Sequence, residues 1–153
     1  MLFDPTSMKR LLNIAPTGGG KTLVMKLLGI IMKGVHEISH PILALTADQV
    51  LKFATEVNRF GEVEVHNLDA ASSAHLKTIA TRIRNLKTNT TSTIFVFHSP
   101  QFLVHNPKWK ELLLKCAEKG TLRGSHYDEA HLVAAHGSSF RVEYRYLSEH
   151  DKQ

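Results

Sequence analysis

The octapeptide Ala15-Pro16-Thr17-Gly18-Gly19-Gly20-Lys21-Thr22 restricts the fold more than any other stretch of this chain of 153 residues. It fits the phosphate-loop pattern, in which two glycines enclose four residues and a lysine and a hydroxyl residue follow, with Ala15 in place of the first glycine. Such a loop works only between a strand and a helix. Its glycines let the backbone turn with N–H groups pointing inward, and the following helix adds the positive end of its dipole, so phosphate oxygens are held by amides. The flanks agree, since Leu11 to Ala15 is a short apolar run and Leu23 to Met32 an apolar helical stretch. The pattern points to bound ATP. Thr17, Gly18, Gly19 and Gly20 would form the cradle, Lys21 would reach the β- and γ-phosphates, and the Thr22 hydroxyl would ligate Mg2+.

The acidic partner that this chemistry needs stands at Asp128-Glu129-Ala130-His131. Asp128 would hold the metal ion, and Glu129 would orient and deprotonate an attacking water. Between the two motifs, short apolar runs alternate with amphipathic stretches, the pattern of a mostly parallel sheet with helices on both faces. The spacing predicts strands over Leu11–Ala15, Pro41–Thr46, Glu62–Leu68, Thr93–His98 and Thr121–Asp128. It predicts helices over Thr22–Gly34, Asp48–Phe60, Ser72–Lys87 and Pro107–Lys119, with Asp48 and Ser72 as caps and Gly34, Gly61 and Gly120 as stops. Trp109, Phe102 and Leu112 to Leu114 read as core. The last strand has the weakest signal, because Arg123, Gly124, Ser125 and His126 stand where an apolar run is expected. Thr46, Ser99 and Asp128 all follow strands, where an open α/β sheet binds its ligands.

Composition excludes several classes. The chain is long enough for one core and too short for two ordinary domains. Cys116 is its one cysteine, so neither an internal disulfide nor a cysteine-based zinc site can form, and a reducing intracellular setting is expected. Neither a membrane-spanning run nor a signal peptide is evident. A net charge of +5 is compatible with a polyanionic partner.

The two motifs resemble motifs I and II of superfamily 2 DEAH-box helicases. A third stretch narrows this. Leu132 to Tyr144, with Gly137-Ser138-Ser139-Phe140-Arg141-Val142-Glu143-Tyr144, resembles the aromatic-rich loop of RecQ-like DNA helicases and its continuation. The resemblance implies a RecA-like P-loop NTPase fold and a single helicase ATP-binding domain, the first RecA-like domain, over residues 1–153. It implies truncation at both ends and a missing second RecA-like domain. It further implies an ATP-dependent DNA helicase that couples hydrolysis to single-stranded DNA translocation and unwinding when complete, weak or inactive as this chain alone. Partners are then single-stranded or forked DNA, and location is nucleus or nucleoid. By the same resemblance Thr46, Ser99, Phe140 and Arg141 would contact nucleic acid, bases stacking on the aromatic face. His131 would couple the ATP site to the DNA contacts. Two positions depart from the family: its loop tryptophan is His136 here, and its preceding glutamine is Ala135. They leave room for an alternative, a nucleotide-dependent nucleic-acid or protein binding module without useful turnover.

His36-Glu37-Ile38-Ser39-His40 matches a zinc-protease pattern that requires two histidines one helical turn apart. Gly34 before it and Pro41 after it argue against a continuous helix. The segment therefore reads as a polar turn rather than a zinc site. Lys77, Arg82, Arg84 and Lys87 read as a solvated helix face that could meet phosphates.

Overall fold

In the computed structural model of the protein, residues 20–40 and 47–127 are described. Within them a parallel sheet of four strands runs in the order β2-β3-β1-β4, where β1 is Gly34–Ser39, β2 Val63–Asn67, β3 Thr93–His98 and β4 Leu122–Tyr127. The helices are α1 Lys21–Ile31, α2 Ala47–Val57, α3 Ser73–Arg84, α4 Pro100–His105 and α5 Pro107–Glu118, with a 3-10 turn at Asn58–Phe60. This is the α/β architecture that the alternation implies.

Strand alternation divides the core in two. Val35, Ile94 and Val96 face α3, α4 and α5, packing on Ile79, Ile83, Phe102, Trp109 and Leu112. Ile38, Phe95 and Phe97 face the other way, where Phe53 and Val57 of α2 close the second layer and Met25 of α1 packs against it. Phe53 meets Phe95 and Phe97 edge-on, with centroids 4.9 and 5.1 Å apart. Helix α1 crosses this face at Gly29, whose carbonyl accepts from Thr93 Oγ1 at 2.7 Å. A Cβ on Gly29 would lie 2.0 Å from Phe95 Cζ, so only glycine permits this approach. Gly29→Ala should destabilise the fold by about 2 kcal/mol despite alanine's better helix propensity, because overpacking of a filled core outweighs that gain. A lower urea midpoint with an unchanged slope would show it.

The strands expected at Glu62–Leu68, Thr93–His98 and Thr121–Asp128 form as β2, β3 and β4, and the helices expected over Asp48–Phe60, Ser72–Lys87 and Pro107–Lys119 form as α2, α3 and α5, though α2 begins at Ala47, so Asp48 lies within the helix rather than capping it. Ser72 caps α3 by accepting from the His75 amide, and Gly120 follows α5 at φ 74°. The expected strands Leu11–Ala15 and Pro41–Thr46 lie outside the described residues.

One reading is corrected. Gly34–Ser39 is not a polar turn with Gly34 as a helix stop; it is the inner strand β1, paired on both sides and buried at every residue. Its polar side chains escaped recognition as strand because their partners come from β3 and β4, far along the chain, and a bonded polar group tolerates burial. Helix α4 is also absent from the sequence reading; Ser99 caps it and Pro100 opens it.

Candidate functional site

The carboxyl ends of the strands and the amino end of α1 meet at one edge of the sheet. Helix α1 ends beside the start of β1, and its Gly29 carbonyl reaches Thr93 at the start of β3, so α1 runs back antiparallel to the strands. Its first residues therefore point toward the edge where Ser39, His98 and Tyr127 end their strands. Gly20 precedes the helix in a left-handed conformation, φ 81° and ψ 13°, and its carbonyl accepts from the Leu23 and Val24 amides. No side chain caps this terminus and its first turn holds no acid. An uncapped, acid-free helix start with a left-handed glycine suits an anion, and the exposed Thr22 adds a hydroxyl beside it.

Beneath this edge two polar networks tie β4 to its neighbours, one on each face. On the α3–α5 face Glu37 accepts from His98 Nε2 at 2.8 Å through one oxygen and from Ser125 Oγ at 3.0 Å through the other. His98 Nδ1 donates to the Ser99 carbonyl at 2.9 Å. A carbonyl only accepts, so His98 Nδ1 carries a proton, and when Nε2 also donates, to Glu37, the ring is an imidazolium. Both side chains are buried, at 0% and 4% exposure. Burial alone would push the His98 pKa down; the Glu37 hydrogen bond and charge, with the Ser99 carbonyl and Asp69, outweigh it and hold it above the ordinary value.

On the α1–α2 face His36 Nε2 donates to the Met32 carbonyl at 2.7 Å, which leaves its Nδ1 to accept from His126 Nε2 at 3.1 Å. Gly124 makes room for this pair, since a Cβ there would lie 2.7 Å from His126 Nε2 and 2.9 Å from His36 Nδ1. Burial first, opposed by the Met32 carbonyl and helped by the Arg123 charge, lowers the His36 pKa. Burial and the neighbouring His36 push His126 down to about 4, against 6.5 for an ordinary histidine. The unfolded chain thus binds more protons than the folded one between those values. Stability from this pair is present above about pH 6.5 and is lost as pH falls toward 4. Melting temperature should fall between pH 7 and pH 5, and His126→Phe should make that acid limb shallower.

Sequence comparison adds the family. No family model matches the chain, and no solved structure does. Curated proteins do: ATP-dependent DNA helicase Q1 of Rattus norvegicus is 28% identical over 134 residues, 88% of this chain and 20% of the relative. ATP-dependent DNA helicase RecQ of Synechocystis sp. is 31% identical over 140 residues, 88% of this chain and 26% of that protein. The chain is a relative of the RecQ-like DNA helicases. It spans about a fifth of the length of the helicase Q1 proteins that it matches, the mouse protein among them at 29% identity.

In this RecQ-like chain the described residues include Gly20, Lys21, Thr22 and Ser99 of those singled out by sequence. Lys21 opens α1 and Thr22 follows it at the same edge. Thr17, Gly18, Gly19, Thr46, Asp128, Glu129, His131, Phe140 and Arg141 lie outside the described residues. Ser99 has a structural occupation: it is 2% exposed, its hydroxyl donates to Asp69 Oδ1 at 2.7 Å and accepts from the Phe102 amide, and its own amide donates to Asp69 Oδ2 at 2.6 Å. The Glu37–His98–Ser125 network went unread in the sequence. Two polar runs, His36-Glu37 and Ser125-His126, were the available signal, since the buried first run takes bonds from the second. His36 to Ser39 is strand and His40 follows it, so the two histidines do not stand one helical turn apart. Among the described residues no group of three or more His, Cys, Asp or Glu is arranged to hold a metal ion, and no helix is long and apolar enough to cross a membrane.

Proposed function

We propose that this chain is the ATP-binding region of a RecQ-like ATP-dependent DNA helicase, folded as its first RecA-like domain and working with a second such domain. The observation that best supports this is the meeting of two features at one sheet edge, the uncapped start of α1 at Gly20-Lys21-Thr22 and the exit of β4 at Tyr127, one residue before Asp128. The names of its relatives, ATP-dependent DNA helicases, agree. In this reading the amides from Thr17 to Gly20 and the Lys21 ammonium hold the triphosphate. Thr22 and Asp128 hold Mg2+, which neutralises charge on the phosphates, and Glu129 orients the water. Phe140 and Arg141, with Thr46 and the turn at Ser99, meet single-stranded or forked DNA, and His131 carries the state of one site to the other. A nucleus or nucleoid is the matching location.

The second reading is a nucleotide-dependent binding module without useful turnover, favoured by Ala135-His136 at the positions of the family's glutamine and tryptophan. Steady-state ATPase assays with and without single-stranded DNA separate the two. The helicase reading expects turnover that DNA stimulates and that Glu129→Gln removes while nucleotide binding persists. Nucleotide binding with no turnover under either condition would favour the module.

A further inference from the structure

Strand β4 carries no continuous apolar face to hold it in the sheet. Its residues Arg123, Gly124, Ser125 and His126 are polar or small, and the register shifts between Val35 and His36 as Arg123 is accommodated, its guanidinium donating to the Lys33 and Thr88 carbonyls. Side-chain ties to β1 replace apolar packing. On the α3–α5 face the tie is Ser125 Oγ to Glu37 Oε2, between residues directly opposite in the ladder. Glu37 is fixed from the other side by His98, and His98 by the carbonyl of Ser99, whose hydroxyl and amide hold Asp69 beyond β2. A bonded chain thus runs from β4 through β1 and β3 to Asp69, two residues past the end of β2. It connects Ser125, three residues before Asp128, to the turn at Ser99, which follows β3.

We propose that Ser125 and Glu37 are positioning residues for the nucleotide site: their bond sets where the segment after β4, with Asp128 and Glu129, stands relative to the amino end of α1. The inference rests on the nucleotide-binding reading given above. Ser125 bonds no phosphate in this scheme; it acts through the strand that carries the acid. The buried Glu37–His98 pair gives the tie a rigid anchor, because both of its groups are enclosed and bonded.

The test is the affinity of the full chain for a fluorescent ATP analogue, measured in excess Mg2+ and again in EDTA. The loop amides and Lys21 govern binding in both buffers, whereas the segment after β4 adds only to the gain that Mg2+ brings. Ser125→Ala cuts the tie without unpairing the buried charges, so it should leave the EDTA affinity at the parent value. It should reduce the Mg2+-dependent gain by about tenfold, the lower end of what losing support behind a metal ligand costs. Ser125→Thr, which keeps the hydroxyl, should restore the gain. Glu37→Gln can still accept from Ser125 and should also retain it. An unchanged gain in Ser125→Ala, or equal losses in both buffers, would overturn the positioning role. Failure of the underlying reading looks different: the parent chain would bind no analogue in either buffer, or Lys21→Ala would bind as the parent does.

Discussion

Glu37→Ala should lower the stability of this protein by about 3 to 5 kcal/mol, the largest effect expected of any single change at the polar edge of the sheet. The carboxylate is enclosed between β3 and β4 and bonds His98 and Ser125 at once. Its removal leaves a cavity, an unpaired imidazole and a hydroxyl without its acceptor. For a domain of this size the loss corresponds to a fall in melting temperature of about 10 °C. Replacing both members, as in Glu37→Leu with His98→Leu, should recover much of the loss, since an apolar pair of similar volume avoids burying charge. Non-additivity in this cycle is the decisive readout; independent, additive losses would mean that the two groups do not act as a pair. The pH dependence has a definite sign. His98 is raised in the folded state, so its contribution is fully present below the ordinary value of 6.5 and fades as pH rises through the folded value. In Glu37→Ala the largest influences holding His98 up are gone and burial is opposed only by the Ser99 carbonyl and Asp69, so that alkaline loss should shrink. The His36–His126 pair works in the opposite direction, losing stability in acid, so the parent should be most stable near neutrality.

The layered sheet was legible because β3 is an unbroken apolar run and because caps and glycine stops punctuate the helices, as Ser72 and Gly120 do. Those signals are local. The start of α1 was equally legible, where Gly20 takes its left-handed turn before the helix. What escaped was β1. His36 and Glu37 look like surface residues, and their burial depends on His126, Ser125 and His98, which lie 90, 88 and 61 residues away. No window of neighbouring residues contains that information. The same holds for Ser99, whose hydroxyl is engaged by an aspartate 30 residues earlier. The reading of Asp128 and Glu129 rests on their own short motif, and β4, though polar, ends one residue before Asp128.

Lys21→Ala should weaken binding of Mg-ATP by about 100-fold, because it deletes charge-assisted bonds to the most highly charged part of the ligand. Lys21 opens α1 at the uncapped terminus after Gly20, so its ammonium and the helix amides would act on the same phosphates. The substitution lies in the first turn of α1, where Thr22 and Leu23 are exposed, and should leave the melting temperature of the free protein nearly unchanged. The most direct measurement is a calorimetric titration of the full chain with Mg-ATP, parent against Lys21→Ala, with folding checked by thermal melting. The account predicts one site per parent chain and a variant that stays folded and binds about 100-fold more weakly. A folded variant that binds with the parent's affinity would contradict it.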